Sequence, residues 1–299
     1  MPSLLTGILA SALLALNTVV LVPILLLVAL LRLMLPVPAL RDQLTLMATW
    51  IANLWISGNS AWMRLTQRTE WYVQGLEGLN AQGWVMVTSN HQSWVDILVL
   101  QHQLNGRIPL LKFFLKQQLI WVPFMGLAWW ALEFPFMRRH SEAEIKANPA
   151  LRAQDQETTR KACAKFARTP TSVMNFLEGT RNTPAKHARQ QSPYRHLLKP
   201  KAGGLALAFN AMGDKFQAIL DVTIVYPDGV PTFWQFLCGG LRRVVVRMRT
   251  LPVPPHLLGA DYTADAAVRE AYARWVQQLW AEKDALIGQL LQAPARASR

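Results

Sequence analysis

The sequence predicts an α/β fold in which a mixed, largely parallel sheet is flanked by helices and preceded by an N-terminal membrane helix or helical hairpin. Two observations support this prediction. The chain begins with a long uncharged apolar stretch, and after residue 70 short apolar runs alternate with longer mixed segments. Such alternation favours a layered α/β domain. The expected organisation is a membrane-anchoring segment at 1–40, an amphipathic interfacial helical region at 41–69, and one α/β domain at 70–299.

The apolar stretch carries no charged side chain between Pro2 and Leu31, and leucine, isoleucine, valine and alanine dominate it. It is longer than the roughly 20 residues that cross a bilayer as a helix. It lacks a basic beginning, and it exceeds the roughly 7–15 apolar residues of a signal peptide. We therefore expect it to be retained as a membrane segment.

Polar residues and a proline interrupt this stretch at Asn17, Thr18 and Pro23. It could form one kinked span or a hairpin that returns to the same leaflet. Arg32 and Arg41 follow it. Because basic residues favour the cytoplasmic side, the rest of the chain is expected in the cytoplasm.

The region 41–69 continues with apolar side chains at helical spacing, among them Met47 and Trp50. This pattern fits an interfacial helix and a core-packing helix equally well. The chain has 12 tryptophans and a formal net charge of +13, which favours a lipid boundary and polyanionic partners. Cys163 and Cys238 are too few and too far apart for a disulfide framework, which fits a reducing compartment.

Five apolar runs within the α/β domain are candidate strands, and the mixed segments between them are candidate helices. The candidate strands are Trp71 to Val73, Trp84 to Thr88, Ser172 to Leu177, Ile219 to Tyr226 and Arg243 to Met248. A last helix is expected after a cap at Thr263, with one apolar face that packs on the sheet. That face consists of Val268, Tyr272, Trp275, Val276, Leu279 and Trp280.

The segment from Asn90 to Asp96 places a histidine and a carboxylate five residues apart, just after the candidate strand 84–88. Asn90 or Ser93 can cap the helix that follows, so His91 would end the strand and Asp96 would lie in the first helical turn. The carboxylate could accept the proton of one ring nitrogen and leave the other nitrogen free. This pattern predicts a general base with the residue that orients it, although capping and surface roles are the alternative. No G-x-S-x-G pattern surrounds Ser93, which argues against a serine nucleophile.

A second polar group, Glu178, Gly179, Thr180 and Arg181, follows the candidate strand 172–177. Gly179 would permit close backbone approach to a ligand, and Arg181 can hold a phosphate through two parallel hydrogen bonds. A Glu–Arg pair that closes a surface turn is the alternative interpretation. The sequence therefore indicates a possible anion site at this turn.

Basic residues accompany both motifs. The range 181–201 is rich in lysine and arginine without any acidic residue, and Lys112, Lys116, Arg138 and Arg139 lie between the two motifs. Together with the His–Asp pair, they favour a phosphate-bearing substrate near a general base. No His, Cys, Asp or Glu cluster has metal-ligand spacing, so no metal is expected. No groove-reading or stacking module for nucleic acid is recognisable.

In combination, these motifs resemble those of the lysophospholipid acyltransferases typified by 1-acylglycerol-3-phosphate acyltransferase. Four signatures recur in order over about residues 70–230. They are N-H-x(4)-D at Asn90, His91 and Asp96, a loose match at 136–139 with Arg139 in the motif position, F-x-E-G-T-R at 176–181, and an apolar strand ending in proline at 222–227. The second signature departs from the commoner form because Arg138 stands where an acid is frequent. Lys116, Pro123 and Gly126 fit the stretch before it, and the surrounding sequence looks closest to a bacterial inner-membrane branch called YihG.

The resemblance implies transfer of a fatty acyl group from acyl-CoA or acyl-ACP, the acyl carrier protein thioester, to the free hydroxyl of a lysophospholipid. The expected acceptor is 1-acyl-sn-glycerol 3-phosphate and the expected product is phosphatidate. A larger lysophospholipid, such as lysophosphatidylglycerol or lysocardiolipin, is the alternative acceptor. A membrane-tethered protein that binds anionic lipids without catalysis is the alternative from another class.

By the same resemblance, His91 and Asp96 are the expected catalytic residues. The expected substrate-binding residues are Glu178, Gly179, Thr180, Arg181, Arg139 and Lys116. No cofactor is expected beyond the thioester co-substrate. The range 70–299 would then be a glycerolipid acyltransferase-like domain on the cytoplasmic side of the inner membrane. Its expected partners are an anionic membrane surface and, for an acyl-ACP donor, acyl carrier protein, with no nucleic acid.

Overall fold

The computed structural model describes residues 3–79, 81–137, 169–257 and 265–292, together with 147–148, 150, 157–158, 161 and 262. Within these residues a two-helix hairpin precedes an α/β domain. The hairpin consists of α1 (Leu4–Met34) and α2 (Pro38–Thr66). α1 is long and apolar enough to cross a membrane.

The polar interruption in α1 contacts α2 and does not form a turn. Asn17 donates from Nδ2 to the Trp55 carbonyl at 2.8 Å and to Asn59 Oδ1 at 3.0 Å. Pro23 also lies inside the continuous helix. Of the two alternatives for 1–40, a single helix and a hairpin, the structure has the single helix, and α1 pairs with α2.

Both ends of α1 contact the α/β domain. The Ser3 N–H donates to the Cys238 carbonyl at 2.9 Å. At the other end, Arg32 Nη2 donates to the Ala131 carbonyl at 3.0 Å and lies 3.7 Å from a Glu133 carboxylate oxygen. α1 therefore lies alongside the domain over its whole length.

A six-stranded sheet forms the centre of the domain. Its strands are β1 (Glu70–Gln74), β2 (Trp84–Ser89), β3 (Leu111–Phe113), β6 (Ser172–Phe176), β7 (Phe216–Val225) and β8 (Arg243–Leu251). The strand order is β1-β8-β7-β2-β6-β3, and only the β7–β8 pair is antiparallel. A separate parallel pair consists of β4 (Leu115–Lys116) and β5 (Phe136–Met137).

Helices cover both faces of this sheet. They are α3 (Val95–Leu104), α4 (Met125–Ala131), α5 (Pro184–Gln190), α6 (Gly203–Met212), α7 (Phe233–Leu237) and α8 (Ala266–Gln292), with 3₁₀ turns at Gln117–Trp121, Gly213–Lys215 and Pro255–Leu257. Because side chains alternate along a strand, Val85 and Val87 face α2, α3 and α7, whereas Met86 faces α6 and α8.

The predicted α/β fold is confirmed, and each of the five candidate strands is present with ends shifted by a few residues. β3 was not predicted because three residues give too short a pattern. On α8, Tyr272, Val276, Leu279 and Trp280 are buried as predicted, whereas the predicted cap at Thr263 lies outside the described residues.

Candidate active site

Three parallel strands bring the candidate site residues to one edge of the sheet. His91 follows β2, Glu178 follows β6 and Tyr226 follows β7. Because these strands are neighbours that run in the same direction, their carboxyl ends meet. Ligand sites of open α/β sheets lie at this edge.

The imidazole of His91 contacts the carboxylate of Asp96, as the five-residue spacing predicts. His91 Nδ1 lies 2.8 Å from Asp96 Oδ2. The Asp96 side chain is 1% exposed and that of His91 is 13% exposed. Nε2 has no hydrogen-bond partner within the described part of the chain. With the proton on Nδ1 donated to the carboxylate, Nε2 is available to accept a proton from a ligand.

The Asp96 carboxylate is held by further donors. Its Oδ2 accepts the backbone N–H groups of Gln92 at 2.6 Å and Ser93 at 2.9 Å, and its Oδ1 accepts the hydroxyl of Tyr226 at 2.6 Å. Burial, together with the charge of Asp96, raises the pKa of Tyr226 well above its ordinary value of 10.0. Tyr226 is therefore a donor to Asp96 across the physiological pH range. No local pattern indicates this role, because Tyr226 is recognisable in the sequence only as the end of a strand.

The turn after β6 holds the backbone of His91 on both sides. The His91 N–H donates to Glu178 Oε1 at 2.8 Å, and the His91 carbonyl accepts the Asn182 N–H at 2.7 Å. Phe176 stacks on the imidazole, with ring centroids 3.9 Å apart and planes at 14°. The F-x-E-G-T-R turn therefore fixes the position and ring plane of the histidine.

The carboxyl group of Glu178 is buried beneath the two site loops. Its second oxygen accepts the Leu198 N–H at 3.1 Å, and the residue is 0% exposed. Burial raises the pKa of Glu178 to about 8, although the N–H donors of His91 and Leu198 and the Lys283 charge act in the opposite direction. Both oxygens of Glu178 thus accept backbone N–H groups of this chain, and contact of Glu178 with a substrate stays a prediction.

Arg181 and Lys186 lie on the open side of the same turn. The guanidinium carbon of Arg181 lies 4.7 Å from the centre of the Trp94 ring, at the start of α3. Lys186 donates to Thr180 Oγ1 at 2.7 Å and to the Arg181 carbonyl at 3.0 Å. Desolvation, followed by the positive charges of Arg181, Lys116 and Arg189, lowers the pKa of Lys186. These like charges in one place form a site for an anion.

Gly179 occupies the turn between the buried carboxyl group and this cationic group. Its φ of +66° lies in the left-handed region that favours glycine. Gly179 is exposed, and Thr180 is partly exposed. The backbone of this turn is thus exposed, and binding of a ligand there stays a prediction.

The basic residues between the two motifs are Lys112, Lys116, Arg138 and Arg139, and the two lysines differ in their surroundings. Lys116 in β4 is exposed, and its charge acts on Lys186. Lys112 lies in β3, where burial lowers its pKa to about 8 and Glu133 opposes that change. Arg138 and Arg139 lie outside the described residues.

Ser93 and Asn90 have structural contacts. Ser93 is 5% exposed, and its hydroxyl donates to the Pro231 carbonyl at 2.6 Å, away from the imidazole. Asn90 exchanges two hydrogen bonds with the backbone of Ile224 in β7, at 2.8 and 2.9 Å. Trp94 occupies the N-cap position of α3. The predicted capping of α3 by Asn90 is therefore wrong, because Asn90 instead extends the pairing of β2 with β7. The Ser93 hydroxyl does accept the N–H of Val95, the first residue of α3, at 3.2 Å.

No group of three His, Cys, Asp or Glu side chains placed to hold a metal ion is found in the described ranges. The fold and site define an α/β protein with a histidine–aspartate pair near a cationic group at one edge of the sheet. Residues 70–227, more than half of the chain, match the family model described as Acyltransferase. The chain belongs to this acyltransferase family.

Relatives extend the comparison. The chain is 26% identical over 215 residues to mouse 1-acyl-sn-glycerol-3-phosphate acyltransferase gamma, covering 68% of this chain and 52% of that protein. It is 26% identical over 185 residues to zebrafish (Danio rerio) lysocardiolipin acyltransferase 1, covering 58% and 43%. The chain spans about half the length of the curated relatives it matches.

A solved structure shares the fold. The crystal structure of the 1-acyl-sn-glycerophosphate (LPA) acyltransferase PlsC from Thermotoga maritima superposes with a TM-score of 0.52 at 17% sequence identity. The match covers 92% of this chain and 96% of that one. At this identity the likeness concerns the fold.

Proposed function

We propose that this protein transfers a fatty acyl group from a thioester to the free hydroxyl of a lysophospholipid, with 1-acyl-sn-glycerol 3-phosphate as the first candidate acceptor. Family membership and the names of the relatives support the reaction class. One observation carries the proposal: His91 is fixed by Asp96 with Nε2 free, at the same sheet edge as the cationic group of Arg181 and Lys186.

The reaction uses His91 as a general base. Nε2 accepts the proton of the acceptor hydroxyl while the hydroxyl oxygen attacks the thioester carbonyl carbon. The tetrahedral intermediate collapses, the carbon–sulfur bond breaks, and the imidazolium returns its proton to the leaving thiolate. Asp96 stabilises the imidazolium between the two steps, because the carboxylate accepts the Nδ1 proton.

Arg181 and Lys186 are proposed to bind the acceptor phosphate. The Lys186 ammonium has three N–H donors and uses two of them among the described residues, so one remains there for a ligand. A phosphomonoester carries more charge than the phosphodiester of a larger lysophospholipid, which favours 1-acyl-sn-glycerol 3-phosphate. A larger acceptor is the second candidate, since a lysocardiolipin acyltransferase is among the relatives. The proposed donor is acyl-CoA or acyl-ACP, without a metal or other cofactor.

The hairpin of α1 and α2 is proposed to attach the protein to the bacterial inner membrane, as in a YihG-like branch. Since both ends of α1 contact the α/β domain, both lie on the side of the membrane that holds this domain. Arg32 and Arg41 favour the cytoplasmic side. The cationic group of Arg181 and Lys186 then faces anionic lipid headgroups.

The test is an acylation assay with purified protein in lipid vesicles. Labelled acyl-CoA and acyl-ACP are offered with lysophosphatidate, lysophosphatidylglycerol and lysocardiolipin, and products are identified by mass. The matched control is the His91→Ala chain. We expect labelled phosphatidate from the wild type. Lipid binding without thioester consumption in any combination would instead identify a non-catalytic binder of anionic lipids.

A further inference from the structure

Four large apolar side chains are exposed between the end of the 3₁₀ turn 117–121 and the end of α4. They are Trp121 at 85% exposure, Phe124 at 49%, Leu127 at 53% and Trp130 at 48%. Leu127 and Trp130 lie three residues apart on α4, and Trp121 and Phe124 precede its first turn. We call these four exposed side chains the α4 ridge. No charged residue occurs from Gln117 to Leu132. A group of large exposed apolar side chains of this kind marks an interaction surface.

The other side of α4 packs on the membrane-hairpin helix α1. Ala128 and Ala131 are buried in one cluster with Val22, Leu25 and Val28 of α1. Arg32, near the end of α1, donates to the Ala131 carbonyl. The α4 ridge therefore sits beside the second half of α1.

The outward side of α1 at this level is also apolar. Leu27 is 57% exposed, Leu30 is 53% exposed and Met34 is 70% exposed. If α1 lies in the bilayer, α4, which packs against it, lies at the boundary of the same bilayer. The ridge thus lies on and just before a helix that packs directly against α1, and both helices have exposed apolar side chains.

The composition of the ridge favours the interfacial layer of a bilayer as its occupant. Tryptophan concentrates at the membrane–water boundary, because its ring is apolar and its N–H is polar. Lys116 begins the same segment, five residues before Trp121, and its charge acts on Lys186 of the anion site. A short stretch of chain thus joins the ridge to the cationic group.

We propose that the α4 ridge is a second lipid contact, outside the α1–α2 hairpin, that inserts into the interface of the leaflet holding α1. It fixes the height of the domain so that Lys116, Arg181 and Lys186 stand at headgroup level. The acceptor phosphate can then be bound while the acyl chain stays in the bilayer. The part concerning the acceptor rests on the proposed function, whereas the lipid contact does not.

The first experiment measures depth and needs no activity. Trp121→Cys is made in the full chain carrying Cys163→Ser and Cys238→Ala, spin-labelled, and placed in nanodiscs of phosphatidylethanolamine and phosphatidylglycerol. The label should collide more with oxygen, which dissolves in lipid, than with a water-soluble nickel chelate. The control label is at Glu270→Cys on exposed α8, which covers the other sheet face, and should show the reverse. A label at position 121 open to the nickel chelate would overturn the proposal, and so would a label closed to both reagents, since a second protein surface would then cover the ridge.

The second experiment links the ridge to acceptor use. Leu127→Gln should raise KM for long-chain lysophosphatidate in vesicles about tenfold, and leave kcat/KM unchanged for a short-chain, water-soluble acceptor. The matched control is Leu291→Gln, which alters a leucine 44% exposed on α8 and should change neither value. Equal loss with both acceptors would overturn the role in acceptor capture. An inactive wild type would refute the proposed function and leave the depth result standing.

Discussion

His91 is fixed through its ring, its peptide N–H and its carbonyl. Asp96 and Phe176 hold the ring, and Glu178 and Asn182 hold the peptide groups. A base held in this way needs little reorganisation when the acceptor hydroxyl arrives. We expect His91→Ala to lower kcat by roughly 10²–10⁴, the usual effect of losing a general base.

The measurement is initial-rate acylation at saturating substrate, with membrane insertion checked by flotation with vesicles. His91→Ala should float like the wild type, since His91 belongs to neither hairpin helix. Near-normal turnover in this variant would show that another group takes the proton.

Tyr226 acts through Asp96, so it is a positioning residue. The Tyr226 hydroxyl stabilises the negative charge of the Asp96 carboxylate by donating a hydrogen bond to it. In Tyr226→Phe this donor is lost, so the carboxylate would interact more strongly with His91. The imidazolium would then be favoured, and the rising limb of the pH profile of kcat/KM should move to higher pH. Only a small loss of maximal rate is expected. The buried phenyl ring keeps its packing, so a purely structural role would lower stability and leave the limb in place.

In the proposed site, Lys186 is expected to favour a phosphomonoester over a phosphodiester. Lys186→Met should raise KM for lysophosphatidate about tenfold, the effect of one lost charge-assisted hydrogen bond. The increase should be smaller for lysophosphatidylglycerol, whose phosphodiester carries less charge. The measurement is KM for both acceptors in one vesicle preparation, and Lys186→Arg is the control that keeps the charge. Equal increases for both acceptors would refute the assignment.

Residue types and spacing predicted the His91–Asp96 contact because both groups lie within one short turn. They did not predict Tyr226, which is 130 residues from Asp96 along the chain and meets it only through sheet pairing. Residue types left open whether Glu178 pairs with Arg181 at a surface turn, and only the family resemblance implied a contact with substrate. Burial of Glu178 depends on how the loop containing Leu198 folds over it, and no local pattern records that.

At the scale of elements, apolar periodicity predicted the strands well because each long strand is buried against helices on both faces. Periodicity could not decide whether residues 1–40 form a hairpin or one helix that pairs with the next helix. That depended on Asn17 meeting Asn59 across the hairpin, a contact between side chains 42 residues apart. The short β3 and α4 depend on tertiary packing more than on their own sequences.

Gly126 controls the placement of α4 and its ridge. A Cβ at this position would overlap the carbonyl oxygen of Ile120, a backbone atom that cannot rotate away. Gly126→Ala should therefore lower the melting temperature, although alanine is ordinarily the better helix former. The control is Gly203→Ala at the start of α6, where the nearest atom, the Tyr262 hydroxyl oxygen, would be 3.7 Å from the new Cβ. Circular dichroism in detergent measures both variants, and equal melting temperatures would contradict the overlap.

At the scale of the whole molecule, α8 is bonded to the site loops. Trp280 Nε1 donates to the Leu198 carbonyl at 2.9 Å, and Leu198 donates to Glu178. One turn later, the buried Lys283 lies 2.8 Å from an Asp221 carboxylate oxygen in β7. α8 thus contacts β7 through the Lys283–Asp221 ion pair, and contacts the loops of the candidate site through a buried polar network of Trp280, Leu198 and Glu178. Loss of one partner would leave other groups in it unsatisfied.

Glu178 gives this network a pH dependence. Its pKa rises from 4.5 to about 8 on burial, so the folded chain binds a proton that the unfolded chain releases between these values. The stabilisation from Glu178 is fully present below about pH 4.5 and is lost as pH rises towards 8. The free energy of unfolding should therefore fall by about 1.4 kcal/mol per pH unit inside this window, relative to a chain without the carboxyl group.

The comparison is with Glu178→Gln, measured by denaturant unfolding in detergent from pH 5 to 8. The glutamine amide can accept only one of the two N–H groups, from His91 and Leu198, so this variant should be less stable at pH 5. Its curve should lack the slope that Glu178 contributes, so the advantage of the wild type at pH 5 should shrink steadily as pH rises. Parallel curves across the range would show that Glu178 is ionised in the folded protein, held as a carboxylate by its two backbone donors and the charge of Lys283.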